Sequence, residues 1–303
     1  MRTMIAVLVL LASAATADEQ VMFKGEPAGQ ILASGRGWVL LLDPSGRVVW
    51  QHKGANMTDC WMQEDGNVIF ADGKTVTEVN PKTGKTVFVY QPVLPPNVKV
   101  GDGSFSCQPL ENGRVLVSEN STGRVLEVDR QGKIVFELKV EPYKVGSHHN
   151  HRYVRKIKNG NYLVCHSGAG KVREYTPQGK IVFEVLAGPI AFSAVRLDNG
   201  NTLVGHLDNI TEFDPAGKPV WTFSNKDIDG LEIRAMCGVH ALPNGNIAIG
   251  VYGAYKNGGQ VGLLEITRDK QLVWYYSNPS ADPAMMSIQM LDAEGRPLPE
   301  TLR

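Results

Sequence analysis

Two turn motifs alternate along this chain at intervals of 40 to 50 residues, and that spacing constrains the fold more than any other feature. The first motif sets Asn-Gly or Asp-Gly after an apolar segment. Its copies are Glu64-Asp65-Gly66-Asn67, Glu111-Asn112-Gly113-Arg114, Lys158-Asn159-Gly160-Asn161, Asp198-Asn199-Gly200-Asn201 and Pro243-Asn244-Gly245-Asn246, with a fainter one at Ala293-Glu294-Gly295-Arg296. The second is an acidic, turn-forming segment that ends in an aromatic residue. It runs from Leu42-Asp43-Pro44 to Trp50, Glu78-Val79-Asn80 to Phe88, Glu127-Val128-Asp129 to Phe136, Glu174-Tyr175-Thr176 to Phe183, Glu212-Phe213-Asp214 to Trp221, and Glu265-Ile266-Thr267 to Trp274.

The segments between the turns are short and rich in β-branched residues, as in Val115-Leu116-Val117 and Lys133-Ile134-Val135-Phe136. Asn-Gly between such runs signals a hairpin whose two central residues both take positive φ. Each unit therefore reads as four antiparallel strands, and six copies of each motif predict an all-β, six-bladed propeller. A blade buries its faces only against its neighbours, so the ring has to close. The N-terminal unit contains strands two to four only, at Gln30 to Leu32, Gly37 to Asp43 and Arg47 to Trp50. Its missing first strand is expected at Ser287 to Leu291, so that the C-terminal strand completes the N-terminal blade and hides exposed edges. The six aromatics from Trp50 to Trp274 share one repeat position and are expected to wedge between blades.

Arg2, the apolar run Met4 to Leu11 and the small-residue site Ala15-Thr16-Ala17 read as an export signal over residues 1–17. The run is too short to span a bilayer. Residues 18–303 then form one domain, expected to be periplasmic or secreted. With 31 basic and 31 acidic residues, the chain lacks the basic footprint that nucleic acid or an anionic membrane surface requires. Cys60, Cys107, Cys165 and Cys237 match neither a small disulfide framework nor a paired C-x-x-C zinc site. They are expected to pack as small apolar residues, one bridge being the alternative.

In a propeller the first strand of each blade lines the central channel, so the Asn-Gly turns lie on one face and the starts of strand one on the other. The strand-one starts bring Asp59, Cys60, Ser106, Cys107, His149, His151, Ser193, Cys237 and His240 to that second face. The ends of strand two add Asp72, Glu119, His166, His206 and Val251. Six of the seven histidines, all except His52, are thereby expected near one channel mouth. His149 and His151 lie two residues apart and share a side of an extended strand. With His240 they could form a three-histidine site for a divalent metal, with an open position. Channel histidines bonded to backbone and water are the alternative. His166 and His206, following Asp72 and Glu119 at equivalent positions, could do general acid–base work or simply end strands beside loops. No Gly-x-Ser-x-Gly, His-Glu-x-x-His or EF-hand pattern occurs.

Segments such as Glu78-Val79-Asn80-Pro81-Lys82-Thr83-Gly84 and Glu212-Phe213-Asp214-Pro215-Ala216-Gly217-Lys218-Pro219-Val220-Trp221 resemble the repeats of pyrroloquinoline-quinone-type propellers. Quinone-dependent dehydrogenases of that superfamily have eight blades, and some carry a vicinal cysteine pair. This chain has six copies and no such pair, so the quinone itself is not expected. His149-Asn150-His151-Arg152 and Gly238-Val239-His240 are similar in kind to the histidine and arginine motifs of exported arylsulfotransferases, six-bladed propellers that use a channel histidine as sulfuryl acceptor. That resemblance implies catalytic roles for His149, His151 and His240.

Besides a structural subunit of an envelope assembly that uses the blade rims, two functions follow. One is a binding module that takes a small polar molecule, a saccharide or a protein partner at the histidine-rich mouth. Its contacts would be Asp59, Asp72, Glu119, Arg152, His166, His206 and Tyr252, with Tyr255 and Trp61 as packing surfaces. The other is a transferase, hydrolase or lyase that uses the same site through a metal or a histidine.

Overall fold

In the computed structural model, the described residues are 22–94, 96, 105–141, 147, 149–277, 283–299 and 303. The expected leader over residues 1–17 and His148 lie outside them. The described strands form six antiparallel sheets, one per blade. After a short β1 (Met22–Lys24), blade I contributes β2 (Ile31–Gly35), β3 (Trp38–Leu42) and β4 (Val48–Lys53). Blade II is β5 (Asp59–Met62), β6 (Val68–Ala71), β7 (Val76–Val79) and β8 (Thr86–Tyr90). Blade III is β9 (Ser106–Pro109), β10 (Val115–Glu119), β11 (Arg124–Val128) and β12 (Ile134–Lys139). Blade IV is β13 (Val154–Lys156), β14 (Tyr162–His166), β15 (Lys171–Tyr175) and β16 (Ile181–Leu186). Blade V is β17 (Ser193–Arg196), β18 (Thr202–Gly205), β19 (Asn209–Phe213) and β20 (Pro219–Ser224). Blade VI is β21 (Leu231–Ala241), β22 (Ile247–Lys256), β23 (Gly259–Ile266) and β24 (Leu272–Ser277).

The ring closes as the repeat demands. β25 (Met285–Met290) is the innermost strand of blade I, with Ile31 opposite Met290 and Ser34 opposite Ser287. A second closure has no counterpart in the repeat. β1 adds a fifth strand to the outer edge of blade VI, pairing Met22 with Ser277 and Lys24 with Tyr275. Each end of the described chain thus completes a blade, and the two blades are neighbours.

The turns differ from the expected geometry. Positive φ is confined to the glycine, as in Gly66 (+79°) and Gly160 (+84°), while the preceding Asp65 and Asn159 keep negative φ. Gly66 N–H donates to the Gln63 carbonyl, and the Asp65 carboxylate accepts the Asn67 N–H at 2.9 Å. The loop is therefore a three-residue turn with a left-handed glycine, and the side chain before that glycine acts as the cap.

Six apolar clusters occupy the six blade-to-blade interfaces, and each holds one of the strand-four aromatics. The wedge reading holds. The acidic residue of the second motif has a matching structural role. Glu78, Glu127, Glu174 and Glu212 are buried and pair with Arg130, Lys156, Arg196 and Arg268 of the next blade. The asparagine after the turn glycine donates to the same carboxylate, at 2.6 Å for Asn161 to Glu174 and 2.7 Å for Asn246 to Glu265. Both recurrent motifs thus meet at one buried carboxylate, which explains why they recur together. All four cysteines are free and buried, and burial pushes the Cys60 thiol up to about 11 and those of Cys165 and Cys237 to about 12. Such thiols are poor nucleophiles at neutral pH.

Candidate functional site

The described residues along the channel fall into three layers. At the mouth, His151 is fully buried just before β13. Its Nδ1 lies 2.8 Å from Ser118 Oγ, which also donates to the Arg152 carbonyl at 3.0 Å, and the Asn120 side chain accepts the His151 N–H. With the serine proton on that carbonyl, His151 donates Nδ1–H and carries its lone pair on Nε2. His166 is held through Nε2 to the Tyr175 hydroxyl at 2.8 Å, and His206 through Nε2 to Thr211. His151 Nε2, His166 Nδ1 and His206 Nδ1 are buried and have no hydrogen-bond partner among the described residues. Burial lowers the pKa of His151 to about 4. It also lowers that of His166 to about 3, with nearby His151 and Arg173 adding to the effect. These rings are neutral at pH 7 and too weakly basic to shuttle protons efficiently there.

The other mouth residues are similarly engaged. Arg152 donates Nε–H to Ser167 and lies over the rings of Phe105 and Phe192, 4.8 and 4.6 Å from their centroids. Glu119 accepts from Arg124, Tyr90 and Thr122, and Asp72 caps its own turn through the N–H groups of Lys74 and Thr75. Tyr252 takes a hydrogen bond from Arg36, whose guanidinium sits over its ring. Among the described residues no group of three or more His, Cys, Asp or Glu side chains could hold a metal ion.

The structure moves His240 away from this mouth. Blade VI has a strand one of 11 residues where the others have three to six, so His240 falls at its far end, opposite Ala248 and beside the Asn-Gly turn. There it accepts the Met290 N–H at Nδ1 (2.9 Å), and burial pushes its pKa well below the usual range. The expected triad of His149, His151 and His240 is therefore not assembled: the first two precede β13 at one end of the channel and the third lies at the other. Counting back from the turn glycine would have placed His240 correctly, since it shares a repeat position with Trp61, Gln108 and Arg155.

The middle layer begins at Tyr153, whose hydroxyl contacts the carbonyls of Thr58 (2.6 Å) and Met286 (2.5 Å) and so joins three blades across the axis. Beneath it lies an ionic core. Asp59, with 0 % exposure, takes a two-pronged contact from Arg155, at 2.9 Å from Nη1 and 3.2 Å from Nη2. It also accepts the Cys60 and Cys107 N–H groups and the Ser287 hydroxyl. Arg303 completes the layer, donating to the Cys60 carbonyl and Ser287, both at 2.8 Å, while Arg155 Nε–H donates to the Arg303 main-chain oxygen.

The third layer opens outward. On the Asn-Gly face a cavity of about 870 Å³ spreads over blades II to V, floored by Trp61, Arg155 and Arg303. Its walls alternate apolar residues (Leu110, Ile157, Leu197) with the amides of Gln108, Asn112 and Asn159. Most of the charges around it are paired within the protein, Lys156 with Glu127, Lys158 with Asp198, and Arg196 with Glu174, while the exposed carboxylate of Glu111 makes no ion pair among the described residues. Sequence reasoning put the site on the opposite face and grouped Trp61 with the mouth. Trp61 instead points to this cleft, its indole N–H bonded to the Cys107 carbonyl and its ring covered by Arg303 at 4.1 Å.

No family model and no curated protein matches the chain. Solved structures match in fold. A protein of unknown function from Bacteroides caccae superposes with a TM-score of 0.74 at 21% identity, covering 88% of this chain and 98% of that one. A streptogramin B lyase gives 0.58 at 14% identity, covering 86% and 84%. A catalytically inactive virginiamycin B lyase from Staphylococcus aureus with quinupristin gives 0.54 at 12%, covering 86% and 96%. At these identities the likeness establishes the propeller fold and nothing further. No helix among the described residues is long and apolar enough to cross a membrane.

Proposed function

We propose that the protein is a binding module whose ligand, a largely uncharged peptide or saccharide segment, lies in the cleft on the Asn-Gly face. One observation carries this: a cavity of about 870 Å³ whose walls mix apolar side chains with amides while its cations are paired within the protein, leaving Glu111 as the one lining carboxylate without an ion pair among the described residues. A strongly negative ligand would have to compete for those cations, whereas amide and hydroxyl groups need only the Asn112 side-chain N–H groups and the remaining capacity of Gln108 and Asn159, which also bond Lys156, Glu174 and Asn161. This moves the expected binding role from the mouth to the opposite face. The test is amide chemical-shift mapping with neutral tetrapeptides and with maltotriose. Perturbations centred on Gln108, Asn112 and Asn159 support the cleft. Perturbations confined to His166, His206 and Tyr252, or no response to any probe at about 10 mM, overturn it.

A second reading, a histidine-dependent enzyme working at the mouth, rests on the unpartnered Nε2 of His151 and Nδ1 of His166. Lyases on a similar fold make it chemically reasonable. It predicts a turnover that His151→Gln abolishes with the fold retained. A residual likeness to quinone-type or arylsulfotransferase propellers belongs with this reading. Export to the periplasm or beyond is proposed from residues 1–17, and a purified chain beginning at Asp18 on N-terminal sequencing is the expected result.

A further inference from the structure

The floor of the cleft holds a site already occupied by part of the chain itself. Arg303 is 9 % exposed, and its guanidinium Cζ lies over Trp61, 4.1 Å from the ring centroid. Nη1 donates to the Cys60 carbonyl at 2.8 Å and to Gln289 Oε1 at 3.4 Å. Nη2 donates to Ser287 Oγ at 2.8 Å and lies 3.9 Å from Asp59 Oδ1. An aromatic face, one carboxylate and three neutral acceptors thus converge on one planar cation, which is how proteins select a guanidinium over an ammonium.

The walls of this pocket have anchors other than the Arg303 side chain. Trp61 is fixed by its bond to the Cys107 carbonyl, Gln289 by the Met62 N–H at 2.7 Å, and Asp59 by Arg155 and two backbone N–H groups. Trp61 and Arg303 both line the cleft, so the pocket opens toward it. We propose that Asp59, Trp61, Ser287 and Gln289 form a preorganised arginine socket, filled here by Arg303, that takes the guanidinium of an arginine presented through the cleft when Arg303 is absent or displaced. The socket stands on its own contacts, whereas the approach route rests on the cleft reading above. Because Arg303 is tethered, an external arginine competes against a local concentration in the millimolar range.

The experiment compares wild type with Arg303→Ala, titrated with ethylguanidinium, with its neutral isostere ethylurea, and with the peptide Gly-Gly-Arg, read by thermal shift and tryptophan fluorescence. Arg303→Ala is expected to bind ethylguanidinium with a Kd of about 1 mM and ethylurea at least ~10-fold more weakly, while wild type responds to neither. Adding Trp61→Leu to Arg303→Ala should remove the response. Should Arg303→Ala fail to fold alone, refolding with ethylguanidinium but not ethylurea supports the socket, and equal recovery in both overturns it. A folded variant that does not distinguish the two ligands also overturns it. Binding of ethylguanidinium without Gly-Gly-Arg keeps the socket and rejects the cleft as its route, which is a failure of the functional reading alone.

Discussion

The layer between the blades and the layer along the axis solve the same problem in opposite ways. Between the blades one device recurs: a strand-four aromatic wedge in all six, a buried glutamate in five, a turn asparagine bonded to it in four, and a cation from the next blade in four. Along the axis no device repeats. The position five residues before the turn glycine is Trp61, Gln108, Arg155, Val195, His240 and Met290 in successive blades. An interface that must be made six times favours one economical solution, whereas this innermost position differs in every blade. Val195 and Met290 join the blade-to-blade clusters, while Trp61, Gln108 and Arg155 line the cleft. The repeated layer therefore sets the ring, and the axis is where individual residues acquire particular roles.

The largest test of that contrast removes one closing strand. A chain ending at Pro283 lacks β25 and Arg303, leaving the inner edge of blade I unpaired and the Asp59 layer open. We expect no soluble, cooperatively unfolding protein, as judged by circular dichroism of the purified fraction. A truncated chain with unchanged thermal stability would contradict the closure.

Next come single charges from the two layers. Asp59→Asn leaves Arg155 and Arg303 buried without a carboxylate and should cost about 3–5 kcal/mol by denaturant unfolding. Arg196→Ala, in the blade layer, leaves Glu174 with its two asparagine donors and should cost about 1–3 kcal/mol. Equal costs would show that the axis is no more specialised than the interfaces. Lys158→Ala, which breaks the exposed pair with Asp198, should change stability by less than ~1 kcal/mol and sets the scale for both.

Acid provides a third test, this time of the channel mouth. The folded pKa of His151 is about 4 and that of His166 about 3, against 6.5 for the free ring, so the unfolded chain binds protons that the fold excludes. Their contribution is complete above pH 6.5 and is lost as pH falls toward 4 and below, at roughly 1.4 kcal/mol per pH unit for each histidine. His151→Gln should remove about one proton from the pH dependence of unfolding between pH 6 and 4. A slope unchanged by that substitution would mean that the mouth opens to water.

The blade layer was legible in the sequence because it recurs. Six aromatics, six turn glycines and the closing strand all followed from spacing alone. The role of Glu174 and its relatives was visible only as a recurrent acid, since the partner that explains it comes from the next blade. The axis was poorly legible for a physical reason: what meets across a ring depends on strand length and register in every blade. The extra residues of β21 carried His240 to the wrong end in a count that assumed equal strands. Nothing near Arg303 in sequence hints that it packs on Trp61. The mouth histidines were found, but not the serine, tyrosine and threonine hydroxyls that hold them.

The central claim is that ligand binds at the Asn-Gly face rather than at the mouth. The direct measurement is the affinity of the best tetrapeptide or saccharide probe for Asn112→Trp, which narrows the cleft, and for His206→Ala, which alters the mouth. The account predicts that Asn112→Trp weakens binding by about 10-fold or more, ~1.4 kcal/mol, while His206→Ala stays within about 2-fold of wild type. Loss in the mouth variant with full affinity in the cleft variant would contradict it.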